Sequence, residues 1–95
     1  MANVYVAPSH PQRAREVVFD YIKKRLEPSD NHVIFSLDDV YVVSFFYVLG
    51  NWKALVSTTL PDGMYYEVTR NESQHAIYIT AYKQWEHVTV LDEDL

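Results

Sequence analysis

The chain has no cysteine among its 95 residues and only two glycines, Gly50 and Gly63. Without cysteine, no disulfide stabilises the fold, no thiol serves as a nucleophile, and a zinc site would need histidine and carboxylate ligands. Both glycines lie in predicted turns, which excludes a glycine-rich loop that cradles phosphate. No segment reaches the roughly 18–20 apolar residues of a membrane helix. The sequence therefore predicts no cofactor, no metal and no membrane partner.

The composition that is present is typical of one globular domain covering residues 1–95, with 48% hydrophobic and 15% aromatic residues. Residues 1–9 are predicted to form an N-terminal extension or edge strand, and residues 92–95 an acidic tail. The start, MANVYVAPSH, has neither a basic stretch nor a long apolar run, so we expect no signal peptide and a cytoplasmic protein. The net charge of −5 argues against general nucleic-acid binding.

One amphipathic helix is predicted near the N-terminus. Ser9 and Gln12 have the spacing of a capping box, and Pro11 falls in the first turn, where its missing N–H costs nothing. Apolar residues then recur at helical spacing on one face, at Ala14, Val17, Val18, Tyr21, Ile22 and Leu26. Pro28 ends the run.

From Val40 onward, β-branched and aromatic residues predict strands. A type II′ turn at Gly50-Asn51 would pair Leu49 with Trp52 and Phe45 with Val56. A three-residue loop, 61–63, would pair Val56 with Val68. A four-residue turn, 71–74, would pair Val68 with Ile77. Residues 81–86 are ambiguous between strand and a helical turn, with a last strand over residues 88–91.

The predicted fold class is α+β, with one N-terminal helix packed on an antiparallel β-meander of about four strands. The helix should cover the sheet face that carries Val43, Phe45, Tyr47, Trp52, Ala54, Val56, Tyr66, Val68, Ile77 and Ile79. The second face is mixed, and a single helix cannot cover it as well. This reading leaves the even-numbered apolar residues of the first strand without a cover.

Catalytic signals are weak. The four histidines lack metal-ligand spacing, and Ser57, Thr58 and Thr59 lie in mid-strand with no sharp turn to expose a nucleophile. The chain is therefore predicted not to be an enzyme.

The second sheet face is the predicted binding surface. Its candidate residues are Val42, Phe46, Val48, Lys53, Leu55, Tyr65, Glu67 and Tyr78. An exposed apolar patch usually marks an interface, which favours a protein partner or self-association as a homodimer. The alternative is a small nucleotide-like ligand held by Tyr65 and Tyr78, which should lie together beside Lys53 and Glu67. A weaker candidate cluster is Tyr82, Lys83 and Trp85.

Three segments between residues 38 and 88, roughly half the chain, carry a family resemblance: DDVYVV, NWKALVSTTLPDGMYYEVTRN and YITAYKQWEHV. They resemble a small family of unknown function from bacteriophages and mobile elements of Gram-positive bacteria. The resemblance implies an accessory protein that acts in the bacterial cytoplasm. The family has no assigned activity or catalytic residues, so it assigns no role to any residue of this chain.

Overall fold

The computed structural model describes residues 9–26 and 34–94. They form helix α1 (His10–Arg25), a 3₁₀ turn (Leu37–Asp39) and four strands, β1 (Val40–Val48), β2 (Asn51–Thr58), β3 (Met64–Asn71) and β4 (Ala76–Lys83). A second 3₁₀ turn covers Asp92–Asp94. The strands make one antiparallel sheet in the order β1-β2-β3-β4. The predicted α+β class is confirmed, and the predicted N-terminal edge strand lies outside the described residues.

Helix α1 begins where the sequence predicts. Ser9 is the N-cap, and its hydroxyl accepts a hydrogen bond from the Gln12 backbone N–H at 3.2 Å. The Gln12 side chain does not complete the capping box; it donates to Glu16 and accepts from Arg15 instead. Lys23 and Lys24 lie in the last turn, where positive charge complements the helix dipole. Among the described residues, no helix has both the length and the apolarity needed to cross a membrane.

The core lies between α1 and one face of the sheet. The helix buries Ala14, Val18 and Ile22. The sheet contributes Val40, Trp52, Ala54, Val56, Tyr66 and Val68. Arg15 ties the helix to the start of β1, because its guanidinium donates to the backbone carbonyls of Leu37 and Val40, each at 2.8 Å.

The turn of the first hairpin lies one residue earlier than predicted, and the cross-strand partners of the residues beside it shift by two. Val48 pairs with Asn51 and Tyr47 with Trp52, so the turn residues are Leu49 and Gly50. Both have positive φ, +51° and +84°, as a type I′ turn requires. This register places the Asn51 side chain where it accepts a hydrogen bond from the Glu72 N–H at 2.8 Å, a contact that the local turn pattern does not reveal.

The other two predicted registers are also wrong by two residues. Val68 pairs with Ala54 rather than Val56, and with Ile79 rather than Ile77. The loop between β2 and β3 therefore spans residues 59–63. Because side chains alternate with a period of two, a shift of two residues preserves the face on which each side chain lies. The predicted division of β2, β3 and β4 into two faces consequently stands.

Strand β1 departs from simple alternation because it contains a β-bulge. Ser44 pairs with Leu55 and Val42 pairs with Val56, which leaves Val43 as the extra residue. Val42 therefore shares the helix-covered face with Val56 and packs against the core. Val43 is 56% exposed. The predicted placements of Val42 and Val43 are both wrong, since the bulge inverts the alternation between them.

The chain leaves the sheet after β4. The strand runs to Lys83, so the helical alternative for residues 81–86 is wrong. Residues 84–91 have no regular secondary structure, and the predicted last strand over residues 88–91 is not formed. Every residue from 84 to 94 is exposed. We refer to residues 84–91 as the C-terminal arm.

Candidate interaction surface

The sheet face opposite α1 is left uncovered by the described residues, and we call it the open face. The cross-strand pairs place seven of the eight predicted site residues on it: Phe46, Val48, Lys53, Leu55, Tyr65, Glu67 and Tyr78. Val42 is the exception, because the bulge turns it toward the core. The predicted surface is thus brought together on one side of the sheet.

The open face exposes large side chains that a solvated sheet face rarely carries. Phe46 is 67% exposed and Val48 is 65% exposed. Tyr41, Tyr65, Tyr78 and Tyr82 are each exposed by 38–47%. At about 150–250 Å² per aromatic side chain, these five rings present on the order of 500 Å² of exposed surface. This sum is comparable with the roughly 300–600 Å² of the largest apolar patch on a typical monomer. The rings form two rows, with Ser44 and Glu67 in the row between them.

Three residues of this surface were not among the predicted site residues. The unpaired Val43 is exposed because of the bulge, which periodicity alone does not reveal. Tyr41 precedes the bulge and pairs with Ser57 on the open face. Uninterrupted alternation would have placed Tyr41 on the helix-covered face. Tyr82 pairs with Tyr65 because β4 continues past the point where the sequence was ambiguous.

The tyrosines are arranged differently from the prediction. Tyr65 stacks on Tyr82, with ring centroids 5.1 Å apart and planes 14° from parallel. Tyr78 pairs with Thr69, two rows away from Tyr65, and its hydroxyl hydrogen-bonds to Gln74. The expectation that Tyr65 and Tyr78 lie together is therefore wrong, and the register shift of β4 is the reason.

The charges of the open face balance one another. The Lys53 ammonium lies 3.6 Å from a Glu67 carboxylate oxygen, and the two side chains are 54% and 31% exposed. An exposed pair of this kind contributes only about 0–1 kcal/mol to stability. Its larger consequence is that a partner covering the face need not bury an unpaired charge.

A shallow depression of about 220 Å³ opens on the side of this surface formed by Phe46, Val48, Lys53 and Thr69. Pockets for small molecules usually measure about 300–1,000 Å³ and enclose most of the ligand. The depression is smaller than that range and open. Its geometry suits one inserted side chain better than an enclosed ligand.

The histidines of the described chain do not gather at a site. His10 stacks on Tyr47 with ring centroids 5.3 Å apart, His75 lies in the turn before β4, and His87 lies in the C-terminal arm. His32 is outside the described residues. Within residues 9–26 and 34–94, no three His, Asp or Glu side chains come close enough to hold a metal ion.

Two groups with shifted pKa values lie away from the open face. The pKa of Asp39 is lowered because its carboxylate accepts hydrogen bonds from the Ser36 N–H and the Thr59 hydroxyl. Burial raises the pKa of Tyr66, and repulsion from Asp62 raises it further. Both interactions belong to the folded framework: Asp39 joins the 3₁₀ turn to the end of β2, and Tyr66 lies in the core.

The fold and its surface define a small α+β protein in which one sheet face is covered by a helix and the other is rich in exposed aromatic residues. The model of a family described as "Family of unknown function (DUF6275)" matches residues 11–92, and the chain belongs to this family. No curated protein and no solved structure matches the chain. The predicted membership in a family of unknown function is confirmed, and the matched range includes the sheet and the C-terminal arm.

Proposed function

We propose that the chain is a non-enzymatic accessory protein that binds another protein chain through the open face. The observation that carries this proposal is the aromatic surface of Phe46, Tyr41, Tyr65, Tyr78 and Tyr82, which no described element covers. Aromatic residues are enriched in protein interfaces because they bury large areas at a small entropic cost. Here they surround one balanced ion pair, Lys53–Glu67.

The magnitude of the available burial supports a protein partner. Covering about 500 Å² at about 25 cal/mol per Å² gives a gross gain of roughly 12 kcal/mol. Association of two molecules costs an estimated 4–15 kcal/mol. The aromatic surface alone therefore supports at most moderate affinity. A partner that also contacts Val43 and Val48, which are both more than half exposed, would add to it.

The biological setting that we propose is a bacteriophage or mobile element of Gram-positive bacteria, with the protein acting in the host cytoplasm. The similarity of residues 38–88 to such proteins supports this setting. The partner is then either a host protein or another copy of the chain. In both cases the function consists of occupying a protein surface, without chemical turnover.

Photo-crosslinking from the open face tests this proposal. A photoreactive phenylalanine analogue replaces Phe46, which is 67% exposed, so the substitution should not disturb the core. Irradiation of the pure protein and of the protein in host extract should each be followed by mass spectrometry. We expect a discrete crosslinked product that contains a second polypeptide.

The matched control carries the same analogue at Ser73, an exposed residue in the turn between β3 and β4. It should give few products, since Ser73 lies outside the open face. Absence of crosslinks from position 46 in both samples would contradict the proposal, as would an identical yield from both positions.

A small nucleotide-like ligand is the second candidate. The Lys53 ammonium among aromatic rings supports it, because such rings stack on bases and the cation attracts phosphate. The small, open depression beside Lys53 counts against it. A thermal-shift screen against nucleotides separates the two candidates: a nucleotide that raises the melting temperature supports a ligand site, and no shift removes it.

A further inference from the structure

The C-terminal arm is a second apolar surface of the same chain. Trp85 is 96% exposed, Val88 66%, Val90 58% and Leu91 52%. Tryptophan in particular is seldom left in water, since it is the largest apolar side chain. The chain thus carries two surfaces that favour burial, the open face and the arm, and both are exposed in the part of the chain that the structure describes.

We infer that the occupant of the open face is a second copy of this chain, and that each copy places its C-terminal arm on the open face of the other. This inference rests on the proposed function, because it names the partner of the same surface. In a two-fold symmetric pair, each copy supplies one arm and receives one arm. Both apolar surfaces of both copies are then covered and the assembly closes, whereas an unrelated partner would have to cover the face and the arm separately.

The area agrees with a stable dimer. Trp85 adds on the order of 200 Å² to the roughly 500 Å² of aromatic surface on the open face. Two copies together therefore offer about 1,400 Å² from aromatic side chains alone. Stable interfaces bury about 1,200–2,000 Å² in total over both partners. Reciprocal exchange reaches this range, whereas the aromatic surfaces of two open faces without the arms total only about 1,000 Å².

The length of the C-terminal arm also matches the length of the strands in the open face. The arm has eight residues and spans at most roughly 26 Å, which is about the length of the eight-residue strands it would lie against. Its starting point is fixed, because the Gln84 N–H donates to the Gly63 carbonyl at 2.7 Å and Lys83 pairs with Met64. The arm therefore leaves from the same defined end of the sheet in both copies.

Charge does not oppose the contact. The arm carries one formally charged residue, Glu86, and the open face holds the balanced pair of Lys53 and Glu67. The acidic residues Asp92, Glu93 and Asp94 follow the arm and can remain in water at the rim of the interface.

Sedimentation velocity over a concentration series tests the inference on the full chain. The wild type should sediment at twice the monomer mass of 11.1 kDa and dissociate on dilution. Trp85→Ser and Phe46→Ser should each raise the dimer Kd by about 30-fold or more, the effect of removing a buried aromatic hot spot. Ile34→Ser is the matched control, since Ile34 is 92% exposed and belongs to neither surface.

Each outcome decides between the two proposals. All three variants alter exposed side chains, so their far-ultraviolet circular dichroism should equal that of the wild type. A wild type that stays monomeric up to hundreds of micromolar overturns the exchange of arms and leaves a host protein, or residues 1–8 of the same chain, as the occupant. A dimer weakened by Phe46→Ser but not by Trp85→Ser overturns the role of the arm, while dimerisation through the open face stands. Crosslinks from position 46 to a host protein would still support the proposed function.

Intermolecular broadening in nuclear magnetic resonance spectra locates the arm. A spin label on Val90→Cys is feasible because the chain has no other cysteine. When this chain is mixed with ¹⁵N-labelled wild type, the amide signals of Phe46, Lys53 and Tyr78 in the labelled copy should broaden. A label at Ile34→Cys should leave them sharp. Broadening confined to other regions would overturn the placement of the arm on the open face.

Discussion

Leu49 is the residue whose conformation agrees least with its chemistry. Its φ of +51° lies in the left-handed region, where a non-glycine residue costs about 1–2 kcal/mol. Its side chain is also 91% exposed, so no burial of apolar surface offsets this cost. The register that joins Val48 to Asn51 and buries Trp52 imposes the conformation. Tertiary contacts have therefore overruled the turn chemistry of Gly50-Asn51.

Leu49→Asn should stabilise the fold, because asparagine tolerates the left-handed region and Asn-Gly is a favoured type I′ pair. We expect a gain of about 0.5–1 kcal/mol and a rise in melting temperature of roughly 2–8 °C. Gly50→Ala is the opposite control. A Cβ there would lie 3.2 Å from Glu72 Cγ at a φ of +84°, so this variant should melt lower. Thermal unfolding at low protein concentration measures both, and a Leu49→Asn variant that melts lower would refute this assignment.

Asp39 predicts a definite direction of pH dependence. Hydrogen bonds from Ser36 and Thr59 lower its pKa in the folded chain below that of the unfolded chain. Its contribution to stability is therefore present above the ordinary carboxyl pKa and is lost as pH falls through the lowered value. Asp39→Asn should flatten the acid limb of unfolding free energy against pH. Denaturant unfolding at a series of acid pH values measures this, and equal slopes for both proteins would contradict the assignment.

At the scale of elements, the bulge in β1 explains why this strand is apolar on nearly every residue. Val40 and Val42 lie on the helix-covered face before the bulge, and Phe45 lies on that face after it. Even-numbered residues before the bulge and odd-numbered residues after it therefore both contribute to the core. Val43, Phe46 and Val48 are exposed on the other side of the sheet.

Deleting Val43 should be tolerated, because the cross-strand pairs on either side of it are already in register. Since residues 42 and 43 are both valine, removing either gives the same sequence. We expect the free energy of unfolding to change by less than about 2 kcal/mol.

Deleting Leu55 from β2, the strand opposite the bulge, is the control for the Val43 deletion, because β2 carries no extra residue and pairs with β3 without interruption. It would move Val56 and Thr58 to the wrong face and should cost more than about 4 kcal/mol. Denaturant titration compares the two deletions. Equal losses in both would mean that the bulge does not absorb the extra residue.

Periodicity predicted the helix, from apolar residues three and four apart, and most of the two sheet faces, from the alternation of odd and even positions. The registers of β2 with β3 and of β3 with β4 were each wrong by two residues, and this error leaves the face of each side chain unchanged. The register of β1 with β2 was wrong by two residues after the bulge and by three before it, so the faces are preserved only after the bulge. What the sequence could not reveal is the bulge, since a bulge depends on pairing with a second strand. For the site, the bulge moved Val42 into the core. The shifted register of β4 separated Tyr65 from Tyr78.

At the scale of the whole molecule, the two sides of the sheet differ in how well they are covered by the described residues. Its core on the helix side is closed, with Val18, Val56 and Val68 fully buried. Its other side and its C-terminal arm expose aromatic and aliphatic residues that would be costly to keep in water. A domain of 95 residues has a small core, so the proposed partner would also stabilise the fold by mass action when it covers these surfaces.

We propose above all that another polypeptide covers the open face in solution. The paramagnetic enhancement of methyl relaxation by an agent in the solvent tests this on the unmodified chain. A soluble paramagnetic agent is added to two samples, the pure protein at a concentration where it is associated and the protein in host extract. The methyl groups of Val48 and Leu55 should then relax nearly as slowly as those of the core residue Val68. If in both samples they relax as fast as the methyl groups of Ile34, which is 92% exposed, the open face is wet and the account is contradicted.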